Sequence, residues 1–452
     1  MDRITAQALI RFGLGPQPGS DLQGDPRAAL RADLEGPDPA LADPSFAGLP
    51  TGQDGLSAIR ADNAARKALR LAGTPEKGHL KSQARQLYLA DSSVQMDWAV
   101  DTPIGFRERL VWFWANHFTV SIMQGQTASL AGPFIREAIR PYVTGNFTDM
   151  VLAAESHPAM LRYLANDVSI GPNSPAGERT GRGLNENLGR ECMELHTVGL
   201  AAGYTQADVT SMAKILTGWS IGTQDNAGDA TTGFLYRPRA HEPGPQTVMG
   251  RTFDGGEQAG IDALTFLSTY PTTYQLLAQK LVTHFVADTP PPEDVARIAG
   301  VLRDSGGDLG AAAAALIDLP SAWMPGQKLK TPMEYVISAM RVVPPPAGQP
   351  PVKYADVLNQ MGQPLWSAPL PNGWPDQASG WDGSDAVMTR IDWAYTYAAR
   401  FDNGAAGAQP ADVADAALGP ILQPATANAM ALAGSRREAL TLLFASPEFQ
   451  RR

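Results

Sequence analysis

From Asn185 to Gly199 the chain reads Asn-Glu-Asn-Leu-Gly-Arg-Glu-Cys-Met-Glu-Leu-His-Thr-Val-Gly, with charged groups set among Leu, Met and Val. Carboxylates in such company need a partner or a task, because burying an unpaired charge is costly. On a helical wheel of about 100° per residue, Asn187, Glu191, Glu194 and Val198 share one stripe, and Leu188, Cys192, Leu195 and Gly199 form an adjacent apolar one. Glu191 and Glu194 therefore point into a partly buried space beside the core. Arg190 stands one turn before Glu194 and can pair with it. Two carboxylates three residues apart can share a proton, bind a cation, or act as an acid/base pair. The same groups can equally form a buried ion network that catalyses nothing, and both readings stay open.

Histidines supply the other candidate groups. Leu110, Phe113, Trp114 and His117 follow i, i+3, i+4, i+7, so His117 ends an apolar face and points inward. That placement suits a satisfied core histidine as well as a ligand or proton carrier. His157 precedes Pro158 at a helix start, His196 lies on a different face from Glu194, and His241 falls in an expected turn. Together with Glu191 and Glu194, His117 and His157 offer nitrogen and oxygen ligands for a divalent metal. No recognised metal spacing is present, neither His-Glu-x-x-His nor a repeated Glu-x-x-His. Cys192 sits in the apolar stripe and reads as packing. A Gly-x-Ser-x-Gly elbow, a P-loop and a dinucleotide fingerprint are all missing, which disfavours serine hydrolases, NTPases and Rossmann oxidoreductases.

The elements that must position these groups are helices. The dominant apolar period predicts helices over 103–118, 185–198, 205–219, 272–286, 292–304 and 331–343, among others. Asn185 and Thr205 are suited to N-caps, and Pro103 and Pro332 to first turns. Strand signals are sparse; the best predict a small hairpin inserted over Gly233–Phe253. The expected architecture is mainly α, a single multihelical domain over residues 1–452. It carries an irregular N-terminal segment at 14–55, a mobile loop at 171–183 and a Pro-rich connector at 343–351.

The central run, continued by Tyr204-Thr205-Gln206-Ala207-Asp208 to Gly218-Trp219, resembles the signature of DUF1800, a bacterial family whose name records an unknown function. The resemblance extends over most of the chain. Its other segments are Arg11-Phe12-Gly13, Glu108-Arg109-Leu110, Asn116-His117-Phe118, Gly145-Asn146-Phe147 and His157-Pro158-Ala159. Later come the helix from Lys280 to Val286, Lys330-Thr331-Pro332, Leu358 to Gln363 and Pro371-Asn372-Gly373-Trp374-Pro375. Cys192 departs from the pattern, which carries an apolar residue after the Arg-Glu pair. The resemblance also implies company, because members of that family often accompany DUF1501 proteins, many of which carry twin-arginine export signals.

Composition narrows the function classes. With 46 acidic against 36 basic residues in 452, the formal charge is −10. That disfavours a general nucleic-acid binder. A single cysteine excludes a disulfide framework and a Cys-rich zinc site. No apolar run approaches the roughly 20 residues that span a bilayer. As given, the chain reads as cytoplasmic; a mature form with its signal removed, or one exported with a partner, reads the same. The expected function is acid/base or metal-assisted hydrolytic-type chemistry in a cleft on the 185–198 helix. Glu191 would be base or ligand, Glu194 its neighbour, Arg190 an anion clamp and His117 a proton carrier or ligand. The alternative is a non-catalytic scaffold or secretion-associated binding protein acting with a DUF1501-type partner.

Overall fold

The computed structural model describes the chain except residues 21, 23, 77–78, 125, 224, 347 and 402–408. The chain is mainly α. Among the described residues, named strands form two small antiparallel two-stranded sheets. Many helices begin where the sequence supplies a local cap. Thr51, Thr205 and Thr331 each close a capping box with the acidic residue three positions on, satisfying two orphan amides at once. Pro271, Pro292 and Pro332 occupy first-turn positions, where a missing N–H costs nothing.

Two helix C-termini are closed differently, by buried cations arriving from far along the chain. Arg11 donates to the carbonyls of Val286 (2.8 Å) and Phe285 (3.3 Å), at the end of the Pro271–Phe285 helix. Arg341 reaches the carbonyls of Ala99, Val100 and Thr102 at 3.0, 3.0 and 2.6 Å, where the Gln83–Asp101 helix ends. Each guanidinium satisfies carbonyls that the helix leaves without partners and opposes the negative end of its dipole.

Apolar packing gathers into two cores. The larger one includes Phe113, Trp114 and Phe118, Met150 and Val151, Leu188 and Cys192, and Leu277 and Leu281. The smaller is built from the Pro332–Val342 helix, Met96, Trp393, Tyr397 and Leu443. Trp112 and Trp366 pack against both, so they mark the seam.

A small sheet pairs β1 (Trp219–Ile221) with β2 (Phe234–Tyr236), and the expected hairpin insertion is present within Gly233–Phe253, where β3 (Gln246–Val248) pairs with β4 (Arg251–Phe253). The tight turn falls at Met249-Gly250, both with positive φ of 47° and 80°, as a two-residue hairpin turn requires. Methionine carries no turn signal, so the sequence does not mark this turn. The irregular segment 14–55 holds short helices at Pro26–Ala32 and Pro39–Ala42. Within 171–183 a Pro175–Thr180 helix forms, and the Asn173 N–H donates to Glu242 at 2.9 Å. The connector 343–351 has neither helix nor strand in its described residues; residue 347 lies outside them. No helix among the described residues is long and apolar enough to cross a membrane.

Candidate functional site

The run that drew attention in the sequence is helical but not uniformly α. Asn187–Glu191 is α-helix, and the next turn, Cys192–His196, is π-helix. A π turn closes i→i+5 and holds one residue more than an α turn, so a wheel drawn with a constant step goes out of register there. The consequence falls on two side chains. His196, expected on a different face from Glu194, is only 1 % exposed. Leu195, expected on the apolar stripe, is only partly buried.

The end of this helix is capped from four directions. Thr197 Oγ1 donates to the Cys192 carbonyl at 2.7 Å, and the Gly199 N–H to that of Met193 at 2.9 Å. Lys280 Nζ donates to the Leu195 carbonyl at 3.1 Å and to Nδ1 of His117 at 3.1 Å. His117 in turn sits 3.1 Å, through Nε2, from the carbonyl of His196. Because a carbonyl only accepts, Nε2 carries the proton and Nδ1 is the acceptor for Lys280. Burial holds the His117 ring well below the usual histidine range, and the charges of Lys280 and His196 push the same way. His117 is thus a neutral ring with both nitrogens engaged. Burial also lowers the Lys280 ammonium to about 8, against the pull of Asp376. Lys280→Met would leave the Leu195 carbonyl and His117 Nδ1 without their donor. Stability is expected to fall by about 1–3 kcal/mol in chemical denaturation. An unchanged midpoint would remove Lys280 from the cap.

On the inner side, His196 Nδ1 meets Glu155 Oε1 at 2.6 Å, with both side chains essentially inaccessible. Glu155 comes from the Phe147–Ser156 helix, Tyr163 from Pro158–Tyr163. Three buried polar atoms here have no protein partner among the described residues: Glu155 Oε2, His196 Nε2 and Tyr163 Oη. Burial and the nearby charge of Glu191 push the Tyr163 hydroxyl up to about 12. Glu191 itself is half-buried and its carboxyl is raised, chiefly by desolvation. His196 and Arg190 draw it down while Glu194 and Glu155 push it up. Glu194 accepts a hydrogen bond from Tyr204 at 3.3 Å.

Other expected residues are placed elsewhere. Arg190 does not turn toward Glu194; it donates to Glu186 and to Gln206, both at 3.1 Å, on the outer side of the helix. His157 caps the Pro158–Tyr163 helix, accepting from the Ala159 N–H at 3.1 Å through Nδ1 while Nε2 faces Glu137 at 3.0 Å. His241 is held between the Thr217 carbonyl (2.8 Å) and the Gly256 N–H (2.8 Å). Among the described residues, no three His, Cys, Asp or Glu side chains converge to hold a metal ion. Cys192 is fully buried, and burial raises its thiol well above the usual range, so it stays a protonated packing group.

The profile of one family, described as a protein of unknown function (DUF1800), matches residues 7–451. The chain belongs to the DUF1800 family. No curated protein and no solved structure matches it. Residue roles in this DUF1800 chain therefore rest on its own geometry. Sequence reasoning passed over Glu155, Tyr163 and Tyr204. For Glu155 a signal existed: a lone carboxylate after Met150-Val151-Leu152-Ala153-Ala154, two positions before His157. A charge closing so apolar a run needs a partner, though nothing local names His196 as that partner.

Proposed function

We propose that this DUF1800 chain is an acid–base enzyme of hydrolytic type, with Glu191 as the proton acceptor. The observation that carries it is the cluster around Glu191: a half-buried carboxyl with a raised pKa beside three unpartnered buried polar atoms. Perturbed carboxyls beside other proton donors and acceptors cluster at functional sites, and each unpaired buried atom costs about 1–3 kcal/mol. Glu191 takes the proton of an attacking water, and the Tyr163 hydroxyl donates to the oxygen on which charge develops. Glu194 keeps the Glu191 carboxyl basic. Glu155, at 2.6 Å from Nδ1 of His196, fixes the orientation of that imidazole. His117 is a positioning residue that holds the helix end. His117 and His157 have both ring nitrogens engaged by protein groups, so the reading rests on proton transfer within the chain.

A second reading is favoured by the outward pairing of Arg190 with Glu186 and Gln206 and by the capping use of Lys280 and His117. In it the polar run only maintains a scaffold, acting with a DUF1501-type partner. Titrating isotope-labelled glutamate carboxyls by NMR separates the two. The enzyme reading expects Glu191 to titrate above the ordinary glutamate value of about 4.3, and to fall back toward it in Glu194→Gln. A midpoint at or below that value, indifferent to Glu194, would leave the scaffold.

A further inference from the structure

The Gly52–Leu71 and Gln83–Asp101 helices form a hairpin whose outer part stands clear of both cores. In the first helix burial ends at Asp62, and in the second it begins at Tyr88. None of the described residues in 63–87 is buried. At about 1.5 Å per residue, the stretch from Asn63 to Leu71 carries the tip about 14 Å beyond the last buried side chain. Its base is fixed. Asp62, 3 % exposed, accepts from Ser82 Oγ at 2.6 Å and from the Gln83 N–H at 2.8 Å, and so caps the returning helix. A buried joint therefore holds the arm out.

Charge along this arm runs against the rest of the chain. Residues 63–87 contain Arg66, Lys67, Arg70, Lys77, Lys81 and Arg85 against the single acid Glu76. That is a net +5 in a chain of −10, so the remaining residues carry −15. Arg66 faces Glu76 at 3.8 Å. Lys67, Arg70, Lys81 and Arg85 are exposed, and their side chains make no ion pair or hydrogen bond among the described residues. Cations that pair with nothing, on a part that packs against nothing, do not hold the fold together.

The same arm turns an apolar side chain to water. Leu71, at the tip, is 79 % exposed. It lies one turn from Lys67 and next to Arg70, so cations flank it on the open face. Ala64 and Ala68 continue that face, where a surface helix is ordinarily polar. A nucleic-acid backbone would engage the cations and leave Leu71 idle. An anionic bilayer surface engages both, with headgroup charges for Lys and Arg and the hydrocarbon boundary for leucine. The acidic remainder is repelled by that surface, which orients the molecule tip first.

We infer that the tip of this hairpin docks reversibly on an anionic lipid surface, with Lys67, Arg70, Lys81 and Arg85 at the headgroups and Leu71 entering the boundary below them. The inference is independent of Glu191 and stands if that assignment fails.

Co-sedimentation of the full chain with lipid vesicles tests it. Phosphatidylcholine vesicles with about 30 % phosphatidylserine are expected to bind at least about tenfold more tightly than phosphatidylcholine alone. Raising salt from about 0.1 M to about 0.5 M should release most of the bound chain, because exposed charges are screened. Lys67→Gln combined with Arg70→Gln, both at exposed positions, should weaken binding at least about tenfold. Leu71→Ser should weaken it roughly three- to tenfold. Arg303→Gln, which removes an exposed cation elsewhere, should leave it unchanged. Equal binding to both vesicles, no binding to either, or binding unaltered by the paired change or by Leu71→Ser would overturn the inference, as would an equal loss in Arg303→Gln. Binding to a duplex DNA oligonucleotide that is tighter than to the vesicles and indifferent to Leu71→Ser would overturn it in favour of a nucleic acid.

Discussion

Replacing Glu334 with glutamine is expected to lower the stability of the fold by about 3–5 kcal/mol, the usual cost of removing one partner from a buried ion cluster. Glu334 is 3 % exposed and pairs with Arg109 and with Arg452, each 1 % exposed at the side chain. Arg109 also donates to the carbonyls of Phe12 and Gly13, at 3.1 and 2.9 Å, and Arg452 to that of His284 at 2.8 Å. One carboxylate thus ties the first helices, the Phe106–His117 helix and the last residue together. Glutamine preserves an oxygen for the Thr331 N–H, which Glu334 now receives at 2.8 Å, so the loss reports charge rather than the helix cap. Burial alone would raise the Glu334 carboxyl, but Arg452 and Arg109, with His284, outweigh it and hold it far below the usual range. The sign of the pH effect follows. A carboxyl with a depressed folded pKa contributes fully above its unfolded value of about 4.3, and that contribution is lost as pH falls from there toward the folded value. Denaturant unfolding of the parent and Glu334→Gln at neutral and acid pH measures both. A loss under about 1 kcal/mol at neutral pH would mean that the cluster behaves like a solvated surface pair.

What the sequence disclosed, and what it hid, divides by distance along the chain. Thr205 as an N-cap and Pro332 as a first-turn residue were legible because such signals are written within a few residues. The inward direction of His117 was legible from the spacing of Leu110, Phe113 and Trp114. The partners of His117 were not, since Lys280 lies 163 residues away and the carbonyl of His196 is exposed to it only by a π turn that periodicity does not encode. The same limit hid Glu155 from His196, 41 positions on, and His284 from Asp376, 92 positions on. Arg190 misled because an acidic residue stands four positions away on either side of it, Glu186 and Glu194. The structure pairs it with Glu186, the one on the N-terminal side, in the favourable i,i+4 order of acid before base.

Glu191→Gln carries the second large effect. The raised carboxyl of Glu191 means that its charged form is less at home in the fold than in the unfolded chain. Its destabilising contribution is present above the folded pKa and disappears as pH falls through it toward the unfolded value. Glutamine should therefore melt at or above the parent at neutral pH, while removing a general base costs roughly 10²- to 10⁴-fold in turnover. Gained stability with lost turnover is what a functional carboxylate gives, because a site held ready for chemistry is seldom the most stable arrangement. The direct measurement is turnover of chromogenic carboxylic esters and phosphodiesters by the parent and by Glu191→Gln, with thermal melting of both. The expected result is hydrolysis of at least one class by the parent, its loss in the variant, and a melting temperature that does not fall. A variant as active as the parent, a parent that turns over neither class, or a variant that melts well below the parent would contradict the assignment of Glu191 as the proton acceptor.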